Sequence, residues 1–131
     1  MLFLDACAII YLLEATDERG NQVRNLVSSQ LDNTNHPILV SSLSLVECRV
    51  LPQRVKNASL LARYDHFFMC DEVSLVELTH DILHLATDLR ARYTIRIPDA
   101  LQVACALSHH AHFVTGDQRL RSIQELRILF V

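Results

Sequence analysis

The sequence predicts a three-layer α/β/α sandwich with a mainly parallel central sheet. Two observations carry that expectation. Short runs such as Leu2–Leu4, Ile38–Val40 and Phe113–Val114 are continuously apolar, as in strands buried on both faces. Between them lie helix-length stretches whose apolar residues recur every three or four positions, and strands alternating with helices build parallel sheets covered on both sides.

In chain order, Leu2–Leu4 reads as a strand, Asp5 follows it, and Ala6 to Leu13 is a helix-length apolar stretch. Asp17 and Glu18 suit the positive end of a second helix, in which Val23, Leu26, Val27 and Leu31 keep the period until the polar cluster Asp32–Asn35. Ile38–Val40 is the second strand. Ser41, Ser42 and Ser44 stand ahead of apolar periodic residues, as at a helix start. Pro52 is expected in the first turn of a further helix, carrying Leu60, Leu61, Tyr64, Phe67 and Phe68 as its buried stripe. The C-terminal part of Met69–Leu75 is a third strand. A helix then places Leu78, Ile82, Leu85, Ala86, Leu89 and Tyr93 on one side and Asp81, His84 and Asp88 on the other. Pro98 and Asp99 open another helix, apolar nearly all round from Ala100 to Leu107 and therefore the most buried. Phe113–Thr115 is a strand, Gly116–Asp117 a turn into a short helix, and Ile128–Val131 a last strand.

Size and composition narrow the function. With 131 residues, half of them hydrophobic, and only two glycines and three prolines, residues 1–131 are expected to form one compact domain. The four cysteines, Cys7, Cys48, Cys70 and Cys105, form no C-x-x-C pair, so reduced thiols and a cytoplasmic location are expected. No apolar run approaches the ~20 residues of a membrane span, and Asp5 arrives too early for a signal peptide. The net charge of −3 decides little, because four acids singled out below account for more than all of it.

In open α/β sheets ligands gather beyond the carboxyl ends of the strands. Asp5 ends the first strand, Glu47 lies on the helix after the second, Asp117 follows Phe113–Thr115 after one glycine, and Asp99 opens the buried helix. None has an adjacent lysine or arginine as an obvious partner. If the four converge, each pair ~5 Å apart repels by about 3 kcal/mol at an effective dielectric near 20. A hard divalent cation, Mg2+ or Mn2+, would neutralise them and suits phosphodiester hydrolysis. Of the twelve basic residues all but Lys56 are arginine, and Arg119, close to Asp117, is the candidate for substrate phosphate.

Four segments resemble the PIN-domain proteins, especially the toxin ribonucleases of bacterial VapBC toxin–antitoxin pairs: Leu2 to Ile10, Ser41 to Glu47, Pro98 to Gln102 with Ala104, and Phe113 to Leu120. The likeness spans essentially the whole chain. It implies a Mg2+- or Mn2+-dependent endoribonuclease whose catalytic and metal-binding acids are Asp5, Glu47, Asp99 and Asp117. It further implies a homodimer, held inactive by a cognate antitoxin that also binds DNA. Thr115 is expected to hydrogen-bond a ligand or Asp117, and with Arg119 forms the candidate substrate-binding pair. The chain departs from the family at Ala6, where a hydroxyl residue is common, at Cys7, and at Gly116, often asparagine or a small polar residue.

Each acid also has a plainer role open to it. Ser44 and Glu47 fit a capping box that would keep Glu47 from chemistry, with Ser42 a competing cap that would free it. Asp99 suits a first helical turn and Asp117 a tight turn. His80 with His84, and His109, His110 and His112, lack partners at recognisable metal-ligand spacing and read as surface residues. Nearby carboxylates argue against Cys7 or Cys48 as a thiolate nucleophile. A receiver-like phosphoacceptor domain needs a lysine near the last strand, and an aspartate-nucleophile phosphatase needs an acid where Cys7 stands. The remaining rival is a catalytically inactive PIN-like scaffold that binds RNA or a protein partner.

Overall fold

The computed structural model describes residues 1–131. Five strands, β1 (Leu2–Leu4), β2 (Ile38–Ser41), β3 (Val73–Val76), β4 (His112–Thr115) and β5 (Ile128–Phe130), form one sheet in the order β3-β2-β1-β4-β5. Every neighbouring pair is parallel, so the sheet is wholly rather than mainly parallel. Six helices connect them: α1 (Ala6–Glu14) and α2 (Glu18–Asn33), α3 (Ser42–Arg54) and α4 (Ala58–Met69), and α5 (His80–Arg92) and α6 (Ile97–Ser108). A 3-10 turn, Gln118–Ser122, joins β4 to β5. None of the helices is long and apolar enough to cross a membrane.

The alternation of side chains along each strand divides the core in two. Phe3, Leu39 and Phe113 face one way, against α5, α6 and the 3-10 turn. Leu2, Leu4, Ile38, Val40 and Val114 face the other, against α1 to α4. Phe3 and Phe113 are register partners, and their rings stack with centroids 5.6 Å apart and planes 12° apart. Helix α6 is the most enclosed, with Val103, Ala104, Cys105 and Ala106 all at 0 % exposure, as its all-round apolar sequence requires.

Three local expectations are corrected. Pro52 lies inside α3, two residues before its end, and opens no helix. The break comes at Lys56, whose positive φ of 55° lets the Asn57 N–H reach back to the Pro52 carbonyl, while Asn57 caps α4. Neither Ser42 nor Ser44 caps α3. Ser41, the last residue of β2, does so, accepting the Leu43 N–H at 3.1 Å. Ser44 therefore sits inside the helix, and no capping box holds Glu47.

Strand order fixes where a ligand can sit. From β1 the chain steps outward through β2 to β3 with its helices on one face, then crosses the opposite face to β4 on the other side of β1. Crossovers leave β1 and β4 in opposite directions, so a crevice opens beyond their carboxyl ends. Asp5, after β1, and Asp117, after β4, line it.

Candidate active site

Asp5 directly follows β1 and is the N-cap of α1. Its Oδ1 accepts the Ala8 N–H at 2.7 Å, and its Oδ2 accepts the Thr115 hydroxyl from β4. The side chain is tied to two elements and almost completely buried, at 8 % exposure. Burial pushes its pKa up to about 6; the bonds from Thr115 and Ala8 pull it down, and Asp99 and Glu47 add to the rise. A carboxylate sunk this deep, with two donors but no cation against it, is an incompletely compensated charge.

The other three acids come from three further elements. Glu47 lies on the second turn of α3, at the open side of the crevice, and loss of water around its carboxylate, followed by Asp99, raises its pKa. Asp99 lies in the first turn of α6 behind Pro98, where the helix dipole favours an anion. Asp117 caps the 3-10 turn after β4. All four line one cleft of about 320 Å3, together with Cys7, Arg96, Gln102, Gly116 and Arg119.

Two of the acids have arginine partners, neither of them adjacent in sequence. Arg96 forks onto Asp99, with Nε 3.0 Å from Oδ2 and Nη2 3.4 Å from Oδ1. Arg119 forks onto Asp117 through Nε and Nη2, the latter 2.6 Å from Oδ2, and holds that carboxyl below its ordinary value. As the side chains stand, no three His, Cys, Asp or Glu residues are placed to hold one metal ion.

Of the two roles expected for Thr115, the structure shows the hydrogen bond to Asp117, and its burial keeps it from facing a substrate directly. It is fully buried; its hydroxyl donates to Asp5 and accepts the Asp117 N–H at 3.0 Å, so it stands behind both acids. Thr115→Val is expected to lower activity roughly 10- to 100-fold and to cost about 1–3 kcal/mol of stability, because the Asp117 N–H loses its acceptor. Turnover and denaturant midpoint check both effects.

Two residues escaped the sequence reading although helical spacing marked them. Arg96 precedes Asp99 by three residues, and Gln102 follows it by three, on one helix face. Gln102 is 3 % exposed; its Oε1 accepts the Ser44 hydroxyl at 3.1 Å, and its amide pulls Glu47 downward. This buried bridge between α3 and α6 fixes the spacing of Glu47 and Asp99.

The departures at Cys7 and Gly116 are one packing event. A Cβ on Gly116 would stand 2.7 Å from the Tyr11 ring and 3.0 Å from the Cys7 sulfur, so no side chain fits while Tyr11 and Cys7 fill that space. Burial, more than the neighbouring acids, pushes the Cys7 thiol up, and raises Cys48 to about 12, which suppresses any thiolate. His80 and His84 meet edge to face, 4.6 Å apart, on exposed α5, away from the cleft.

A wholly parallel α/β/α domain with an acid-lined cleft at its strand-order reversal defines the class. The sequence matches the PIN domain over residues 2–126, and the chain belongs to the PIN-domain family. Its fold is similar to a toxin–antitoxin complex from Klebsiella pneumoniae, at TM-score 0.77 and 15 % identity over 98 % of this chain and 96 % of that one. It is similar also to VapBC2 from Rickettsia felis bound to a promoter DNA fragment, at 0.75 and 17 %, over 98 % of each chain. A third similar structure is VapC20 from Mycobacterium tuberculosis, a toxin that cleaves the sarcin–ricin loop, at 0.72 and 18 %, over 97 % and 99 %. A search of curated proteins by sequence finds no match.

Proposed function

We propose that the chain is a Mg2+- or Mn2+-dependent endoribonuclease, the toxin of a toxin–antitoxin pair. The observation that carries this reading is the gathering of Asp5, Glu47, Asp99 and Asp117 from four elements into one cleft. The residues fit a hard divalent ion: every candidate donor is a carboxylate oxygen, Asp5 carries a buried charge, and neighbouring acids raise the cost of charge at both Asp5 and Glu47.

Asp5, Asp99 and Asp117 would hold the ion, with Glu47 at the open side. When bound, it would supply an acidified water and charge neutralisation at phosphorus. Thr115 keeps Asp5 pointed into the cleft and Gln102 holds Glu47. Arg119 is within reach of a phosphate at the mouth, where a forked guanidinium matches two non-bridging oxygens. Arg96, which enters the same opening, joins it in that role.

The toxin assignment is supported by structural neighbours described as toxin–antitoxin complexes, and adds a cognate antitoxin and a homodimer as partners. Four free cysteines suit a reducing compartment, the cytoplasm. RNA cleavage with and without EDTA tests the reading. Cleavage is expected to need the ion and to vanish in Asp99→Asn, which removes one charge and almost no volume; cleavage that survives both treatments would refute it.

A second reading, a PIN-like scaffold without catalysis, has one observation in its favour: Asp99 and Asp117 are held by arginines rather than converging on a point. It predicts no cleavage under any ionic condition, with RNA or partner binding retained.

A further inference from the structure

The floor of the cleft is acidic and its mouth is basic. The Arg96 and Arg119 side chains are 64 % and 66 % exposed, whereas those of Asp99 and Asp117 are each 18 % exposed. Arg96 is the N-cap residue of α6 but makes no capping bond, and its guanidinium bonds only Asp99. The Arg119 guanidinium bonds only Asp117. Both arginines line the same cleft, where Arg96 is also attracted by Asp117 and repelled by Arg119, and Arg119 is attracted by Asp99.

We propose that Arg96 and Arg119 are exchangeable counter-ions of Asp99 and Asp117: a divalent ion entering the cleft displaces both guanidinia, and the released pair clamps one RNA phosphodiester at the mouth. Ion and RNA then bind with positive coupling. This deepens the nuclease reading and rests on it.

Three physical points carry the exchange. A carboxylate engaged by a forked guanidinium has both oxygens occupied, so arginine and ion compete for the same lone pairs. The guanidinia are about two-thirds exposed, so water can take over their hydrogen bonds when they leave, which lowers the cost of exchanging them for a stronger cation. Once displaced, two cations at one opening repel each other and the ion, and an anion bridging them relieves that repulsion. By linkage, whatever RNA gains from the ion, the ion gains from RNA. The arrangement also accounts for two arginines lying beside acids that a metal needs: they neutralise the cleft before loading and serve substrate after it.

The test is calorimetric. Mn2+ is titrated into the full chain and into Arg96→Gln, Arg119→Gln and the double variant, each alone and with a short 2′-O-methyl oligonucleotide verified intact afterwards. The double variant is expected to bind Mn2+ alone about fivefold or more tightly than the wild type. The oligonucleotide is expected to tighten Mn2+ binding to the wild type by about fivefold or more, and to the double variant by less than about twofold. Unchanged or weaker Mn2+ binding by the variants alone would overturn the counter-ion role. An undiminished oligonucleotide effect in the double variant would overturn the clamp. If no protein in the series bound Mn2+, the metal-site reading would fall with the proposal, whereas equal binding by all of them would sink the exchange and spare that reading.

Discussion

Asp5→Asn is expected to abolish RNA cleavage, by about a thousandfold or more, while making the protein more stable at pH 7.5. Loss of activity follows from the most buried acid in the cleft giving up the charge that would hold the ion. The gain in stability follows from the same burial. The Asp5 carboxyl sits at about 6 in the folded chain against an ordinary 3.8. Between those values the native state binds more protons than the unfolded state, so stability falls as pH rises from about 4 to about 6, then levels off. The accumulated cost above pH 6 is roughly 3 kcal/mol. Asparagine removes it and keeps an oxygen for the Ala8 N–H, while Thr115 turns its hydroxyl to accept from the new amide. Chemical denaturation of both proteins from pH 4 to 8 checks the sign. Their stability difference should grow in favour of the variant through that window; a variant weaker than the wild type at pH 7.5 would remove the case for an undercompensated charge.

The second large effect is thermal. On the proposed function, Mn2+ or Mg2+ would bind only where folding has gathered the acids and is expected to stabilise the native state by mass action, about 2.7 kcal/mol at a hundredfold excess over Kd. For a chain of this size that is a rise of roughly 5–15 °C in Tm. The rise should reverse with EDTA and disappear in Asp5→Asn. A melting curve indifferent to millimolar divalent ion would leave the acids as a charge cluster with no cation to serve.

Much of this architecture was legible because its signals are local. Leu2–Leu4 and Ile38–Val40 announce buried strands by unbroken hydrophobicity, and α6 announces its burial by having no polar face. The order β3-β2-β1-β4-β5 was not legible. It depends on which sheet face each crossover covers, a matter of long-range packing that no local window contains. Pro52 misled because a proline near the end of a helix and one near a start leave similar local patterns; the deciding residue was Lys56, whose left-handed backbone is not marked by glycine or asparagine. In the site, Asp5 and Asp117 are legible from their places after strands, Glu47 and Asp99 from their places near helix starts, and Arg96 from its three-residue spacing to Asp99. The role of Thr115 is not, since its partnership with Asp5 spans 110 residues.

That span has a consequence for synthesis. Asp5 and Glu47 are made early, but Asp99 and Asp117 must be translated before the cleft closes, and β4 must pair with β1 to bring Thr115 against Asp5. A nascent chain that ends short of Asp117 carries at most three of the four acids and has no closed cleft to hold them. The topology thus makes the cleft one of the last features the growing chain can complete, because its walls wait for the pairing of β4 with β1.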